Sequence, residues 1–194
     1  MKGIMLLSII TRVHPKRTKF LAICKESVSL QTNKDFEHLF LYDDSEKGKG
    51  RGYANQMFFL KRNEINIKGD YVMVLDDDDI MVYNDFIKDL REIVKKDDYD
   101  MIIFKGELVG LGVVPHQHLW EKSPQRSGIG SFCIAVKKEL WNKYIDEFGK
   151  HEVSGDFLFI KKCYENSKKV YWLNRVVCKT QRSEEERKRR IDGI

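Results

Sequence analysis

The chain has 194 residues, of which 42% are hydrophobic and 34% charged, with 13 Gly and 3 Pro; this excludes a collagenous or low-complexity chain and suits a single globular core. A formal net charge of +5 is compatible with a phosphorylated ligand or with nucleic acid and does not choose between them. Cys24, Cys133, Cys163 and Cys178 lie far apart with no C-x-x-C pair, which points to buried free thiols rather than a zinc site or a disulfide framework.

The apolar run Ile4–Ile10 is short for a signal peptide, lacks a small-residue cleavage site and meets charge soon afterwards, so it reads as a buried strand and the chain as cytoplasmic. Pro15 opens a helix that carries Phe20, Leu21, Ile23, Cys24, Val28 and Leu30. Phe36–Tyr42 is a second strand, stopped by Asp43-Asp44-Ser45. The polar, Gly-containing segment Glu46–Gly52 is a loop, and a helix runs from about Tyr53 to Asn66. Tyr71–Leu75 is a third strand, Met81–Lys95 is helical in period, and Met101–Phe104 is a fourth strand. Strands alternating with helices predict a three-layer α/β/α, Rossmann-like domain with a mostly parallel central sheet. Gly106–Gly130 gives no clean periodicity. Beyond it come a strand (Ser131–Val136), helices (Lys138–Phe148 and Gly155–Tyr164) and a late strand (Val170–Leu173). Ser183–Ile191 passes from Glu-rich to Arg/Lys-rich, an order that favours a C-terminal helix. Neither an internal repeat nor a long linker divides the chain, so one domain is expected.

Asp76-Asp77-Asp78-Asp79 directly follows the apolar strand YVMVL. Four adjacent carboxylates repel one another unless something offsets the charge, and Mg²⁺ or Mn²⁺ is the natural partner for carboxylate oxygens. Ligands of open α/β sheets bind outside the carboxyl ends of strands, where this run falls. The plain alternative is a solvated loop in which Asp78 or Asp79 caps the next helix. Asp43-Asp44 ends the second strand, either facing the same crevice or simply forming a turn. Arg12, Lys16, Arg17, Lys47, Lys49 and Arg51 fall at the same rim, where cations hold phosphate oxygens. Asp156 starts a helix; it either interacts with the helix end or accepts a proton from an attacking hydroxyl.

Taken in order, these motifs resemble those of the GT-A glycosyltransferases, most closely the family 2-like inverting group with a D-x-D signature. Ser8-Ile9-Ile10-Thr11 is similar to the opening strand motif, and SVSLQTNKDFE (27–37) to the end of the following helix. The resemblance implies that Asp43, with Asp44 beside it, contacts the nucleotide base near Thr11, and that Gly52 and Asn55 line the nucleotide side. It further implies that Asp76 and Asp77 address the donor, that Asp76, Asp78 and Asp79 hold Mn²⁺ or Mg²⁺, and that Asp156 is the catalytic base. In this family many relatives have Tyr-Asn after the first strand, a Glu before the base and a late His. Here Val13-His14-Pro15, Gly155 and Val177–Arg182 stand instead, which makes Lys179 and Arg182 candidates for the diphosphate.

The implied enzyme takes a nucleotide-diphospho-sugar, a UDP-sugar being favoured, and transfers the sugar to an acceptor hydroxyl with inversion. Residues 1–105 would form the donor half, 106–182 the acceptor and catalytic half, and 183–194 a terminal helix or tail. The acceptor is a saccharide, a lipid-linked glycan or a modified nucleobase; Trp120, His116 and His118 either face it or serve as core or lid residues. In so short a chain the acceptor part is small or is completed by a protein partner or a second copy. Two other readings are a nucleotidyltransferase acting on sugar phosphates, which usually shows a Gly-rich loop that Thr11–Pro15 lacks, and a basic nucleic-acid-binding protein, which has no use for four carboxylates at a strand end.

Overall fold

The computed structural model describes residues 5–43, 51–110, 112–151 and 154–181, with residues 51–54 as backbone only. Its centre is β1 (Leu7–Val13), parallel to β2 (Phe36–Tyr42) on one side and to β3 (Tyr71–Val74) on the other. Leu7, Ile9 and Ile10 are wholly buried because the strand is covered on both faces, which is why the apolar run is continuous rather than alternating. Successive side chains point to opposite faces. Thus Thr11 meets Cys24 of α1 (Thr18–Ser29), while Arg12 meets Asn55 and Phe58 of α2 (Arg51–Leu60).

Beyond β3 the sheet becomes mixed. β7 (Ile134–Lys137) runs antiparallel to β3 and to β5 (Met101–Leu108), and β5 is parallel to β8 (Val170–Thr180). The end of β8 carries β4 (Asp79–Met81) antiparallel, and β6 (Gly112–Val114) pairs with the part of β5 that β7 leaves open. The order is β2-β1-β3-β7-β5-β8-β4, with β6 on β5. The three-layer α/β architecture is as expected, whereas parallel pairing is confined to β2-β1-β3 and β5-β8 and the remaining pairs are antiparallel.

Several boundaries differ from the periodicity, each for a tertiary reason. The helix expected over Met81–Lys95 is α3 (Phe86–Lys96), because Asp79–Met81 gives its backbone to Thr180–Cys178. β8 continues past Leu173 because Asn174-Arg175 bulges out of register and pairing resumes at Val176. The helix after β7 divides into α4 (Lys138–Tyr144) and a 3₁₀ turn, Ile145–Gly149; Ser131–Cys133 is likewise a 3₁₀ turn leading into β7. All four cysteines are buried and unbridged. Among the described residues no helix is long and apolar enough to cross a membrane.

α5 (Gly155–Glu165) is fixed by an aromatic cluster. Phe58 of α2 lies 4.9 Å from Phe148 and 5.7 Å from Trp141 of α4, and Phe159 of α5 lies 4.6 Å from Phe148, between ring centroids. These edge and offset contacts bury four rings together. They hold the start of α5 beside the ends of β1 and β3.

Candidate active site

The acidic run turns away from the end of β3 and enters β4. Its charge is offset within the chain by two arginines. Arg12 donates from Nε to Asp76 Oδ1 at 2.6 Å and from Nη2 to Asp76 Oδ2, a fork-on-carboxylate pair, and from Nη1 to Asn55 Oδ1 at 3.2 Å. Its guanidinium also lies 4.9 Å from the centre of the Phe58 ring. Arg17 donates from Nη1 to Asp77 Oδ1 at 2.8 Å and to Asp78 Oδ1 at 3.0 Å. The His14 backbone N–H donates to Asp77 Oδ2 at 2.6 Å.

The four carboxylates therefore have four environments. The Asp76 side chain is 26% exposed and that of Asp78 10%, whereas the Asp77 side chain is sealed at 1%. Burial lifts Asp77 to about 6, against the opposing pull of Arg17 and the His14 N–H. Asp79 is buried where β4 begins, and desolvation with the neighbouring Asp78 and Asp76 drives its carboxyl well above the ordinary range. Among the described residues no group of three His, Cys, Asp or Glu side chains is arranged to hold a metal ion.

Asp156 sits in the first turn of α5, where its Oδ1 accepts the Phe157 N–H at 2.8 Å. Burial raises its pKa, while that N–H and Arg12 oppose the shift and Asp76 adds to it. Arg12 feels Asp156 in return. The fold thus brings Arg12, Asn55 and Asp76 together from three separate stretches of chain, within electrostatic reach of Asp156.

Other expected site residues are placed differently. Thr11 is fully buried, and its hydroxyl lies 2.7 Å from His38 Nε2 and 4.0 Å from Cys24 Sγ, inside the sheet–α1 layer rather than in the crevice. Arg12 is a carboxylate partner, not a free rim cation. Lys179 lies on the face of β8 opposite its neighbours Cys178 and Thr180 and pairs with Glu107 at 3.0 Å. Gly52 lies in the first turn of α2, and Asp43 directly follows β2 with its N–H on the Val13 carbonyl at 2.9 Å. Asp44, Lys47, Lys49, Arg182 and the expected Ser183–Ile191 helix lie outside the described residues. Trp120 packs edge-on against Trp172 at 5.0 Å with Lys105 over its ring, and His116 stacks on His118 at 5.7 Å.

Gln181 is the residue that sequence reasoning missed. Its N–H donates to the Asp78 carbonyl at 2.8 Å, and its amide reaches the Phe20, Asp77 and Asp79 carbonyls at 3.1, 3.4 and 3.3 Å. A backbone-carbonyl clamp leaves no spacing signal. Arg17 had a signal, since two arginines before α1 match the excess charge of the run.

The mixed sheet, parallel across β2-β1-β3, and the helices around it match known structures over most of the chain. The fold is GT-A. The structure of residues 1–349 of TarS from S. aureus in complex with UDP superposes with a TM-score of 0.67 and 17% identity, covering 96% of this chain and 63% of that one. A second S. aureus TarS structure matches at 0.66 and 17% identity with 38% of its chain covered, so this chain spans less than two thirds of either. A glycosyltransferase involved in glycosylation of the major capsid of PBCV-1 matches at 0.57 and 12% identity, covering 96% of this chain and 99% of that one. No protein-family model and no curated protein matches the sequence.

Proposed function

We propose that this protein transfers a sugar from a nucleotide-diphospho-sugar to an acceptor hydroxyl, with the donor at the carboxyl ends of β1, β2 and β3. The observation that carries this reading is a partly exposed Asp76 just after β3 of a GT-A fold, gripped by Arg12, which also donates to Asn55. Structural likeness to a UDP complex favours a UDP-sugar.

In this reading Asp76, held by Arg12 yet still partly exposed, accepts hydrogen bonds from the donor's ribose. Mg²⁺ and Mn²⁺ characteristically take one or two protein carboxylates and complete their shell with phosphate and water, so one or two carboxylates of the run would suffice to hold such an ion. Asp78 suits the role by donor chemistry; Asp76 is committed to Arg12, and Asp79 is buried with its neutral form favoured. When bound there, the ion supplies Lewis-acid stabilisation of charge on the leaving diphosphate. Asp156 removes the proton from the acceptor hydroxyl as that oxygen attacks the anomeric carbon, with inversion. Its raised pKa strengthens it as a base, while the Phe157 N–H fixes its carboxylate.

Isothermal titration of UDP, GDP, CDP and dTDP, with Mn²⁺ and with EDTA, tests the proposal. Binding of one diphosphate, tighter with Mn²⁺, is expected, followed by transfer from the matching nucleotide-sugar. Absence of binding under every condition overturns it.

A further inference from the structure

A cavity of about 390 Å³ lies at the end of β3 opposite the acidic run, where Tyr71 pairs with Lys137. Its walls are the 3₁₀ turn Arg62–Glu64, residues 65–67 on the way to β3, and α4 with the turn that follows it. The volume falls in the range of small-ligand sites, about 300–1,000 Å³. Of the lining residues, Ile67, Trp141 and Ile145 are buried, whereas Asn63, Asn66 and Asn142 are exposed.

The charged groups of this lining are already answered within the chain. Arg62 Nε lies 3.3 Å from Asp146 Oδ1, and its Nη1 donates to the Phe59 carbonyl. Lys138 Nζ donates to the Ile67 carbonyl at 2.6 Å. The neutral groups are open. Among the described residues the amides of Asn63, Asn66 and Asn142 have no protein partner, and the Trp141 indole N–H meets solvent without one. Trp141 is only 2% exposed, and its ring is enclosed by Phe58, Phe148 and Phe159. Its N–H therefore takes an acceptor from whatever fills the cavity.

We infer that this cavity binds a saccharide unit through its hydroxyls, as a site separate from the donor crevice. Each asparagine amide offers both donors and an acceptor, and neighbouring sugar hydroxyls present the same mixture. The enclosed Trp141 ring leaves no aromatic face on which a nucleobase could stack, and both lining cations are committed, which disfavours a phosphate. The inference stands apart from the sugar-transfer reading. Combined with it, the cavity gives a glycan a second hold at the far end of β3.

The test titrates wild-type protein, without nucleotide, with glucose, galactose and N-acetylglucosamine, and separately with inorganic phosphate and uridine. The indole N–H signals of the three tryptophans are followed by ¹H–¹⁵N NMR. Trp141→Phe assigns the Trp141 signal; should that variant not fold, Trp120→Phe and Trp172→Phe assign it by elimination. At least one sugar should shift the Trp141 signal saturably. Asn66→Ala combined with Asn142→Ala, both at exposed positions, should weaken that binding about tenfold or more, since two hydrogen-bonding amides are lost. The single variants serve should the pair not fold. No saturable Trp141 shift with any of the sugars overturns the inference. So does an equal or larger response to phosphate or uridine, and so does undiminished sugar binding in the folded variants. Failure to bind any nucleoside diphosphate overturns the sugar-transfer reading alone.

Discussion

Arg17, immediately before α1, places its guanidinium 2.8 Å from the Asp77 carboxylate, whose side chain is 1% exposed. The pair ties the start of α1 to the turn after β3, and Asp77 in turn accepts the His14 N–H. The acidic run is therefore a structural junction as well as a candidate donor site.

Arg17→Met should remove the cationic partner of a sealed carboxylate. Breaking such a pair from one side costs about 3 kcal/mol, less the part that solvent at the Arg17 end recovers. A drop in the urea midpoint at pH 7.5 is expected. Raising the proton concentration should narrow the deficit: Asp77 already titrates near 6 in the folded wild type, and a neutral Asp77 has less need of Arg17. A deficit unchanged between pH 7.5 and 4.5 would remove Asp77 from this account.

His38 offers a pH test of opposite sign. Burial and Lys25 drive its pKa down to about 4, below the usual value near 6.5, and its Nε2 lies 2.7 Å from the Thr11 hydroxyl. A depressed folded pKa means that the unfolded chain binds the extra proton. The contribution of His38 to stability is therefore complete above about pH 6.5 and is lost as pH falls towards 4. His38→Gln cannot take up that proton, so the stability advantage of wild type over the variant should shrink from pH 7.5 to pH 4.5. Chemical denaturation at three pH values checks this.

Gly155, the first residue of α5, is packed directly against the preceding 3₁₀ turn. A Cβ there would meet the Phe148 carbonyl oxygen at 2.2 Å and its carbon at 2.9 Å, both backbone atoms that cannot rotate away. Gly155→Ala should cost about 3 kcal/mol through this overpacking, and Gly155→Glu should not fold. Thermal melts of the two variants read the outcome; an unshifted melt for Gly155→Ala would contradict the packing.

Asp156→Asn should retain UDP binding while transfer falls by roughly 10²–10⁴-fold, the usual cost of losing a positioned general base. Initial rates at saturating donor, alongside calorimetry of UDP, separate the two effects. Undiminished transfer would leave Asp156 as a helix-start residue only.

Tyr71–Val74 and the buried character of Leu7–Ile10 were legible because near-continuous apolar runs have few alternatives, and Phe36–Tyr42 because its aromatic-rich run is stopped by turn residues. The placement of carboxylates at strand ends followed from the same reasoning. Asp79–Met81 was hidden because it is a strand only through its partner Thr180–Cys178, nearly a hundred residues away. The extension of β8 was hidden by the polar bulge at Asn174-Arg175.

Residue order by itself determined the α/β class, the free buried thiols and the clustering of acidic groups after a buried strand. Tertiary structure alone decided which cation answers which carboxylate. Arg12 chose Asp76 and Arg17 chose Asp77 and Asp78, because alternation along β1 sends Arg12 towards α2 and leaves the other face to α1. It also turned Thr11 inward and Lys179 towards Glu107. Burial and pairing depend on neighbours distant in sequence, and neither is encoded in local spacing.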